Sequence, residues 1–135
     1  MSDQTIIPAG FADLLDAPFA TLATIGPDHR PQLSAIAFLH DEGKLKISLH
    51  EARQKTKNLR RNPAVNLFVL DPRDPMRYLE VRGDAELADD ADYAFADTLG
   101  RKYRGMDLRQ MDGDDLRRVV VTIHPTRVVT FGHPA

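Results

Sequence analysis

The segment SLHEARQKTKNLRRNP, residues 48–63, runs from the end of a β-strand pattern into a short basic helix. Five of the nine residues from 53 to 61 are lysine or arginine. N–H groups in the first turn of a helix lack intrahelical acceptors and bear partial positive charge, so cations beside them favour a phosphate site. Arg53 adds a planar guanidinium suited to phosphate oxygens. An exposed basic helix face is the alternative interpretation of the same residues.

The residues before this segment predict a short helix followed by strands that reverse at tight turns. The pattern at 45–49 alternates apolar and polar residues, as a half-buried strand requires. Residues 26–28 and 41–43 have the glycine, proline and acidic composition of turns. We therefore predict a helix over Pro8–Asp16 and strands over Phe19–Ile25, Gln32–Leu39 and Leu45–Leu49.

The residues after the segment predict further strands and a second helix. Pro63 should lie just beyond the end of the basic helix. Asp89 or Asp90 suits the start of a helix that runs through Tyr103, and residues 106–116 have the composition of a polar loop. We predict strands over Val65–Leu70, Tyr78–Leu87, Arg117–Ile123 and Arg127–Phe131, with a loop over Asp71–Pro75.

These patterns predict a mainly β fold with six to seven antiparallel strands and two or three short helices. A chain of 135 residues with 42% apolar residues fits a single domain over residues 1–135. That many strands leave exposed edges unless the sheet closes on itself. A closed or nearly closed small barrel is therefore the expected arrangement.

Composition limits the classes of function. The chain has no cysteine, which excludes disulfides and cysteine nucleophiles and fits a reducing compartment. A net charge of −2 argues against a general nucleic-acid binder. Apolar runs are too short to span a bilayer, and residues 1–7 lack the pattern of a secretory signal. We expect a cytoplasmic protein that binds neither nucleic acid nor membrane.

Motifs for metal binding, hydrolysis and nucleotide loops do not occur in the sequence. The five histidines are scattered without zinc-like spacing, so no metal ligand is predicted. Neither the dinucleotide fingerprint nor the Walker pattern is present, and no serine lies in a glycine-framed elbow. If the protein binds a nucleotide-like cofactor, the basic residues at 53–61 must hold it.

The order of four blocks resembles the pyridoxamine 5′-phosphate oxidase-like split β-barrel family. The blocks are LATI at 22–25, RPQLS at 30–34, the segment at 48–63 and YLEVRGDAEL at 78–87. Within that family the chain is most similar to the branch that uses the deazaflavin coenzyme F420. In that branch a strand ending in Ser or Thr leads to Arg-x-Lys-x-x-Asn-Leu-x-x-Asp/Asn-Pro. The resemblance covers roughly residues 10–132 and implies a split β-barrel.

The resemblance also implies a homodimer with cofactor sites at the subunit interface, each lined by both chains. The residues that would hold the cofactor phosphate are Ser48, Arg53, Lys55 and Thr56. The residues that would lie beside the tricyclic ring and bond its polar edge are Gln32, Leu33 and Ser34. Tyr78 would come from the partner chain. Three further cations would either face solvent or bind the acidic tail of F420: Lys57, Arg60 and Arg61.

The implied activity is an F420H2-dependent oxidoreductase that transfers a hydride to an electron-poor conjugated acceptor, such as an enone, quinone, nitroaromatic or tetrapyrrole. The proton could come from solvent or from Tyr78, so no catalytic residue is assigned. Alternatives are an FMN-dependent oxidoreductase and a non-catalytic barrel that binds flavin, F420 or haem. The strand from Gln32 lacks the basic residues that FMN oxidases place there, which favours F420. The chain has no tryptophan, whereas pyridoxamine phosphate oxidases use one with an arginine to grip their substrate, so vitamin B6 oxidation is not expected.

Overall fold

The computed structural model describes residues 6–135, and a single antiparallel sheet of seven strands dominates that range. The strands are β1 (Ala20–Ile25), β2 (Pro31–Ile36), β3 (Leu39–Asp41), β4 (Lys44–His50), β5 (Ala64–Asp71), β6 (Asp74–Asp89) and β7 (Arg118–Phe131). Their spatial order is β2-β1-β5-β6-β7-β4-β3. The predicted mainly β fold with six to seven antiparallel strands is confirmed. The predicted domain also includes residues 1–5, which lie outside the described residues.

Alternating side chains build the core on one face of the sheet. In β4, Leu45, Ile47 and Leu49 are buried, and the residues between them are half-buried. Leu67 of β5 and Val121 of β7 join them and are fully buried. The period-2 pattern seen in the sequence therefore marks the inner face of the sheet correctly.

Two consecutive strands, β2 and β3, lie at opposite ends of the strand order. β2 pairs with β1, whereas β3 pairs with β4. Ala37 and Phe38 separate them, and the Phe38 side chain is fully buried. The prediction of one strand over Gln32–Leu39 is wrong at this point, because the chain leaves one edge of the sheet, buries Phe38 and continues on the other edge.

The last two strands are longer than the sequence predicts. β6 begins at Asp74, so the predicted loop over Asp71–Pro75 is mostly strand. β7 continues through Pro125 without a break, so the two predicted closing strands are one. Both differences involve proline, which favours the end of a strand in a sequence but is tolerated at a strand end, at a sheet edge or at an irregular register.

A bulge accommodates Pro125 in the middle of the sheet. The register between β6 and β7 shifts between Arg82 and Gly83, and Gly83 faces Pro125. A Cβ atom on Gly83 would lie 2.3 Å from the carbonyl oxygen of His124, so the close approach of the two backbones requires glycine. The bulge lets a strand continue where proline removes a hydrogen-bond donor.

The helices in the described range are short. A 3₁₀ helix spans Ala9–Asp16, which confirms the predicted opening helix with Pro8 at its N-cap position. The α-helices are α1 (Gln54–Arg61), α2 (Ala94–Lys102) and α3 (Leu108–Asp112). Across residues 6–135, none of the helices has the length and apolar character needed to cross a membrane.

The second helix starts later than predicted because the chain kinks before it. Asp92 and Tyr93 have left-handed φ values of 58° and 56°. The carboxylate of Asp90 nevertheless caps α2 from a distance, since it accepts the N–H groups of Phe95 and Ala96, both at 2.9 Å. The predicted capping by an aspartate at this position is confirmed, whereas the predicted continuous helix from residue 89 or 90 is wrong.

The segment predicted as a polar loop at 106–116 contains α3, so that prediction is wrong in part. Leu108 is 5% exposed and belongs to a small cluster of buried residues with α2. The side chain of Asp107 caps the first turn. Gly105 and Gly113 flank the helix with positive φ values of 84° and 62°. Five helical residues are too few to give a clear period in the sequence.

Arg77 is a buried cation that joins three parts of the chain. Its guanidinium donates two hydrogen bonds to Asp13 at 2.8 Å and one to Asp71 at 3.1 Å. It also donates to the carbonyl oxygens of Gly10 at 2.8 Å and His133 at 2.7 Å. The opening 3₁₀ helix, the β5–β6 connection and the last residues are held together by this one side chain.

Candidate functional site

One buried amide fixes α1 against the sheet. Asn58 is fully buried, and its Nδ2 donates to Thr24 Oγ1 on β1 at 3.1 Å and to Gln32 Oε1 on β2 at 2.7 Å. Its Oδ1 accepts from Gln54 Nε2 at 2.9 Å. Leu59, next in the chain, packs into the core. These contacts hold the N-terminal turn of α1 beside β2.

A cleft of about 540 Å³ lies where α1, β2, β4, β7 and α3 approach one another. Cationic, acidic, polar and apolar side chains all contribute to its lining. Those used below are Ser48, His50, Arg53, Lys55, Leu99, Met106, Leu108, Met111, Asp112 and Arg118.

Two cations at the start of α1 have no carboxylate partner among residues 6–135. Arg53 is at the N-cap position, and its guanidinium forms no hydrogen bond or ion pair with any described residue. Lys55 Nζ donates to the hydroxyl of Ser34 at 3.2 Å. Burial and then repulsion from Arg53 and Arg118 lower the pKa of Lys55. Binding of an anion would relieve this repulsion.

Strand β2 places its predicted site residues on two faces. Gln32 and Ser34 lie on the side of α1, where they contact Asn58 and Lys55. Leu33 points the other way and is 65% exposed. Gln32 and Ser34 therefore lie next to α1, whereas Leu33 is on the outer face of the sheet.

Thr56 has a different environment from the other residues predicted to hold a phosphate. Its side chain is fully buried, and its hydroxyl donates to the carbonyl oxygen of His50 at 2.7 Å. This hydrogen bond closes the turn between β4 and α1. The hydroxyl does not line the cleft, whereas Ser48, Arg53 and Lys55 do.

The remaining cations of α1 differ in their partners. Lys57 is exposed, and its ammonium group has no hydrogen-bond or ion-pair partner within residues 6–135. Arg60 forms a two-point ion pair with Glu51, including a hydrogen bond from Nε to Oε2 at 3.2 Å. Arg61 donates to the carbonyl oxygen of Ile25 at 2.8 Å. Of these three cations, Lys57 is therefore the one without a hydrogen-bond or ion-pair partner among the described residues.

Tyr78 does not line the cleft and lies in an aromatic group on the outer face of the sheet. Its ring centroid is 5.0 Å from that of Phe68 and 5.5 Å from that of Phe131. Leu70 pairs with Tyr78 in the register and is 41% exposed. The hydroxyl of Tyr78 makes no hydrogen bond to any described residue.

Arg118 is a cleft residue that the sequence did not reveal. Its Nε and Nη2 donate to Asp112 at 2.6 and 2.9 Å, and Tyr93 also donates to this carboxylate at 2.8 Å. Arg118 is opposite His50 in the pairing of β4 with β7. Only this register, which joins residues far apart in the sequence, could have indicated its place.

Apolar side chains form the wall of the cleft opposite the cations. Leu99 of α2 and Leu108 of α3 are buried, Met106 is half-buried, and Met111 is 67% exposed. The cleft can therefore accept a molecule with an anionic end and a flat apolar body. In residues 6–135 no group of three or more metal-ligating side chains lies close enough to hold a metal ion.

Comparison with known proteins gives one family and several solved structures. A family model described as pyridoxamine 5′-phosphate oxidase matches residues 8–131. An F420 reductase is 38% identical, with a TM-score of 0.82 over 91% of this chain and 98% of that chain. A conserved hypothetical protein from Mycobacterium tuberculosis is 28% identical, with a TM-score of 0.74 over 98% of this chain and 89% of that chain. General Stress Protein 26 from Bacillus anthracis is 20% identical, with a TM-score of 0.68 over 90% and 91%, and shows the fold alone.

Proposed function

Since this chain belongs to the pyridoxamine 5′-phosphate oxidase family, we propose that it is an oxidoreductase whose hydride donor is the reduced deazaflavin coenzyme F420. The 38% identity to an F420 reductase supports the choice of cofactor. The whole chain would act as one cofactor-binding domain. The acceptor would be an electron-poor conjugated molecule such as an enone, quinone, nitroaromatic or tetrapyrrole.

The observation that supports this proposal most is the pair of cations at the start of α1. Arg53 and Lys55 have no carboxylate partner among the described residues, and the pKa of Lys55 is lowered first by burial. A phosphodiester would supply the missing negative charge beside the unpaired N–H groups of the first helical turn. The hydroxyl of Ser48, which also lines the cleft, would donate a hydrogen bond to the same phosphodiester.

Two β2 side chains that contact α1 beside the cleft, and the apolar wall of the cleft itself, suit the ring system and the acceptor. Gln32 and Ser34 would bond the polar edge of the ring from β2. Met106, Leu108 and Met111 would cover the acceptor and exclude water. When bound, reduced F420 supplies a hydride, and the acceptor takes up this hydride together with one proton. Solvent or Tyr78 would supply the proton.

We further propose that the protein is a homodimer that uses the outer face of the sheet. Leu33, Leu70 and Phe131 are 65%, 41% and 48% exposed on this face. The register brings Leu70, Tyr78 and Phe131 into one row. An exposed apolar patch of this kind fits a protein interface. A second copy would also give the hydroxyl of Tyr78 a place near a cofactor.

The decisive test is a titration of protein made in a host that lacks F420. F420 and FMN are added in parallel, and binding is followed by fluorescence quenching or anisotropy. Tight binding of F420 with weaker binding of FMN is the expected result. Preference for FMN would move the protein to the flavin-dependent alternative. Tight binding of F420 without reduction of any acceptor would favour the non-catalytic alternative.

Two variants test the phosphate site within the same titration. Arg53→Ala and Lys55→Ala should each weaken F420 binding by about 10-fold or more, since each loses a charge-assisted hydrogen bond. Arg101→Ala is the matched control, because Arg101 is an exposed residue of α2 that does not line the cleft. Affinity equal to that of the control in both variants would contradict the assignment of the phosphate site.

A further inference from the structure

Arg118 turns part of its guanidinium toward the cationic end of the cleft. Its side chain is 12% exposed, and Asp112 binds its Nε and Nη2. The remaining nitrogen, Nη1, lies 3.4 Å from both the carbonyl oxygen and the hydroxyl of Ser48. Distances of this length are at the weak end of hydrogen bonding, so the two N–H donors on Nη1 are poorly used.

Arg118 lines the same cleft as the two cations at the start of α1. Arg118 and Arg53 both repel the ammonium of Lys55 and contribute to its lowered pKa. The three cations come from β7, α1 and the turn before α1, and all three line the same cleft. Three cations that line one cleft are suited to an anion site.

We propose that Arg118 is a third direct ligand of the anionic group of the bound cofactor, and that Asp112 and Tyr93 are positioning residues that aim its guanidinium. This inference rests on the proposed function, because it extends the same anion site. The donors would be the two N–H groups of Nη1, next to the hydroxyl of Ser48.

Asp112 is suited to hold Arg118 without neutralising the whole site. Hydrogen bonds from Arg118 and then Tyr93 lower the pKa of Asp112, so it stays ionised. Burial and the neighbouring Asp112 raise the pKa of Tyr93 to about 12, so its hydroxyl stays a donor at neutral pH. The carboxylate binds Nε and Nη2 and leaves Nη1 beside Ser48, which lines the cleft.

The backbone before α2 supports a positioning role for Tyr93. Asp92 and Tyr93 have consecutive positive φ values, which are uncommon for a bulky residue such as tyrosine. Such strain persists only where the surrounding structure requires it. Here the kink buries the ring of Tyr93 in the cluster with Leu99 and Leu108 and brings its hydroxyl to Asp112.

A purely structural role is the alternative for this network. The Asp112–Arg118 pair also ties the end of α3 to β7, and breaking it would disturb the wall formed by Leu108 and Met111. The two roles differ in what they do to ligands with and without a phosphate. Loss of a residue that binds the phosphate weakens binding only of the molecule that carries the phosphate. A displaced wall weakens binding of both molecules.

The test compares dissociation constants for two ligands on the purified full chain. One ligand is F420, and the other is a deazaflavin with the same ring that lacks the phosphodiester and the acidic tail. Arg118→Met should weaken F420 binding by about 10- to 100-fold and change binding of the phosphate-free ligand by less than about threefold. Arg101→Met is the control with the same substitution at an exposed site.

Three milder variants keep the test decisive if Arg118→Met folds poorly. Arg118→Lys keeps the charge and should retain part of the preference for F420. Tyr93→Phe keeps the buried ring and removes only the hydroxyl, so it should lower F420 affinity about 3- to 10-fold with no effect on the phosphate-free ligand. Asp112→Asn should act in the same direction. Equal losses for both ligands in these variants would overturn the inference and leave the structural role.

A third arm separates this inference from the choice of cofactor. Inorganic phosphate is added at constant ionic strength, and the rise in melting temperature is compared between the wild type, Arg118→Met and Arg101→Met. The wild type could fail to bind F420 while phosphate stabilises it more than it stabilises Arg118→Met. In that case the role of Arg118 in anion binding is supported and the proposed function is contradicted. Equal stabilisation of the wild type, Arg118→Met and Arg101→Met would refute the role of Arg118.

Discussion

Arg77 shows how one side chain can join segments that are far apart in the sequence. It is 6% exposed, and its partners are two carboxylates and two backbone carbonyls from three segments. Replacement by methionine keeps much of the volume but leaves Asp71 buried without its cation. We expect Arg77→Met to lower the melting temperature by about 5–10 °C, measured by circular dichroism. A change no larger than that of Arg101→Met would show that the network adds little.

The same network gives the protein a defined sensitivity to acid. Arg77 lowers the pKa of Asp13, and the N–H of Arg73 together with Arg77 lowers the pKa of Asp71, each from an ordinary value of 3.8. A lowered pKa in the folded state contributes stability that is present above the ordinary value and is lost as pH falls through the folded pKa. Arg77→Met should therefore lose less additional stability than the wild type below about pH 4.

At the residue scale, the sequence singled out those cleft residues that lie close together in the chain. Arg53, Lys55 and Ser48 could be found because the basic segment contains all three, and the structure places them in one cleft. Arg118 could not be found in this way, since only its pairing opposite His50 brings it to the cleft. Thr56 is a residue type that often binds phosphate and lies in the basic segment, but its hydroxyl donates to the backbone carbonyl of His50.

At the element scale, the start of α2 depends on a cap that acts from outside the helix. Asp90 accepts two N–H groups from the first turn, across the kink at Asp92 and Tyr93. Asp90→Ala should lower the free energy of unfolding by about 1–2 kcal/mol, because those N–H groups lose their acceptor. Urea unfolding measures the change.

Asp89→Ala is the matched control for this cap. Asp89 is the exposed last residue of β6, and its carboxylate is not among the acceptors of the first turn of α2. If the two alanine variants lose equal stability, the loss at Asp90 comes from the acidic surface and not from the cap.

The elements that the sequence predicted best are those with a clear local pattern. The alternation at 45–49 gave β4, and the basic residues at 53–61 gave α1. α3 is too short to show a helical period, and the break at Phe38 has no glycine or proline to mark it. Pro125 was misleading, because the bulge at Gly83 allows a strand to pass through it.

At the scale of the whole molecule, the proposed dimer makes a direct prediction. The wild type should sediment with a mass of about twice 15.1 kDa. Leu70→Glu should shift it toward the monomer at the same concentration, since a charge would be buried in an apolar interface. Analytical ultracentrifugation over a range of concentrations measures the shift.

The chain provides a control with the same substitution. Leu116 is 50% exposed, lies before β7 and is not part of the aromatic row on the outer face. Leu116→Glu should sediment like the wild type. A wild type that is monomeric at all concentrations, or equal behaviour of the two variants, would remove the outer face as the interface.

The glycines on either side of α3 have a consequence for how the protein could change over evolution. A Cβ atom at Gly105 or Gly113 would meet no other atom within 4 Å, so the backbone at each end of the segment borders open space. The main hydrophobic core of the sheet does not include Met106 or Met111. Substitutions at the half-buried Met106 and the exposed Met111 would therefore alter which acceptors the proposed oxidoreductase takes, while strand pairing and the cations of α1 stay unchanged. Such a division would let one barrel give rise to relatives with a common cofactor and divergent substrates.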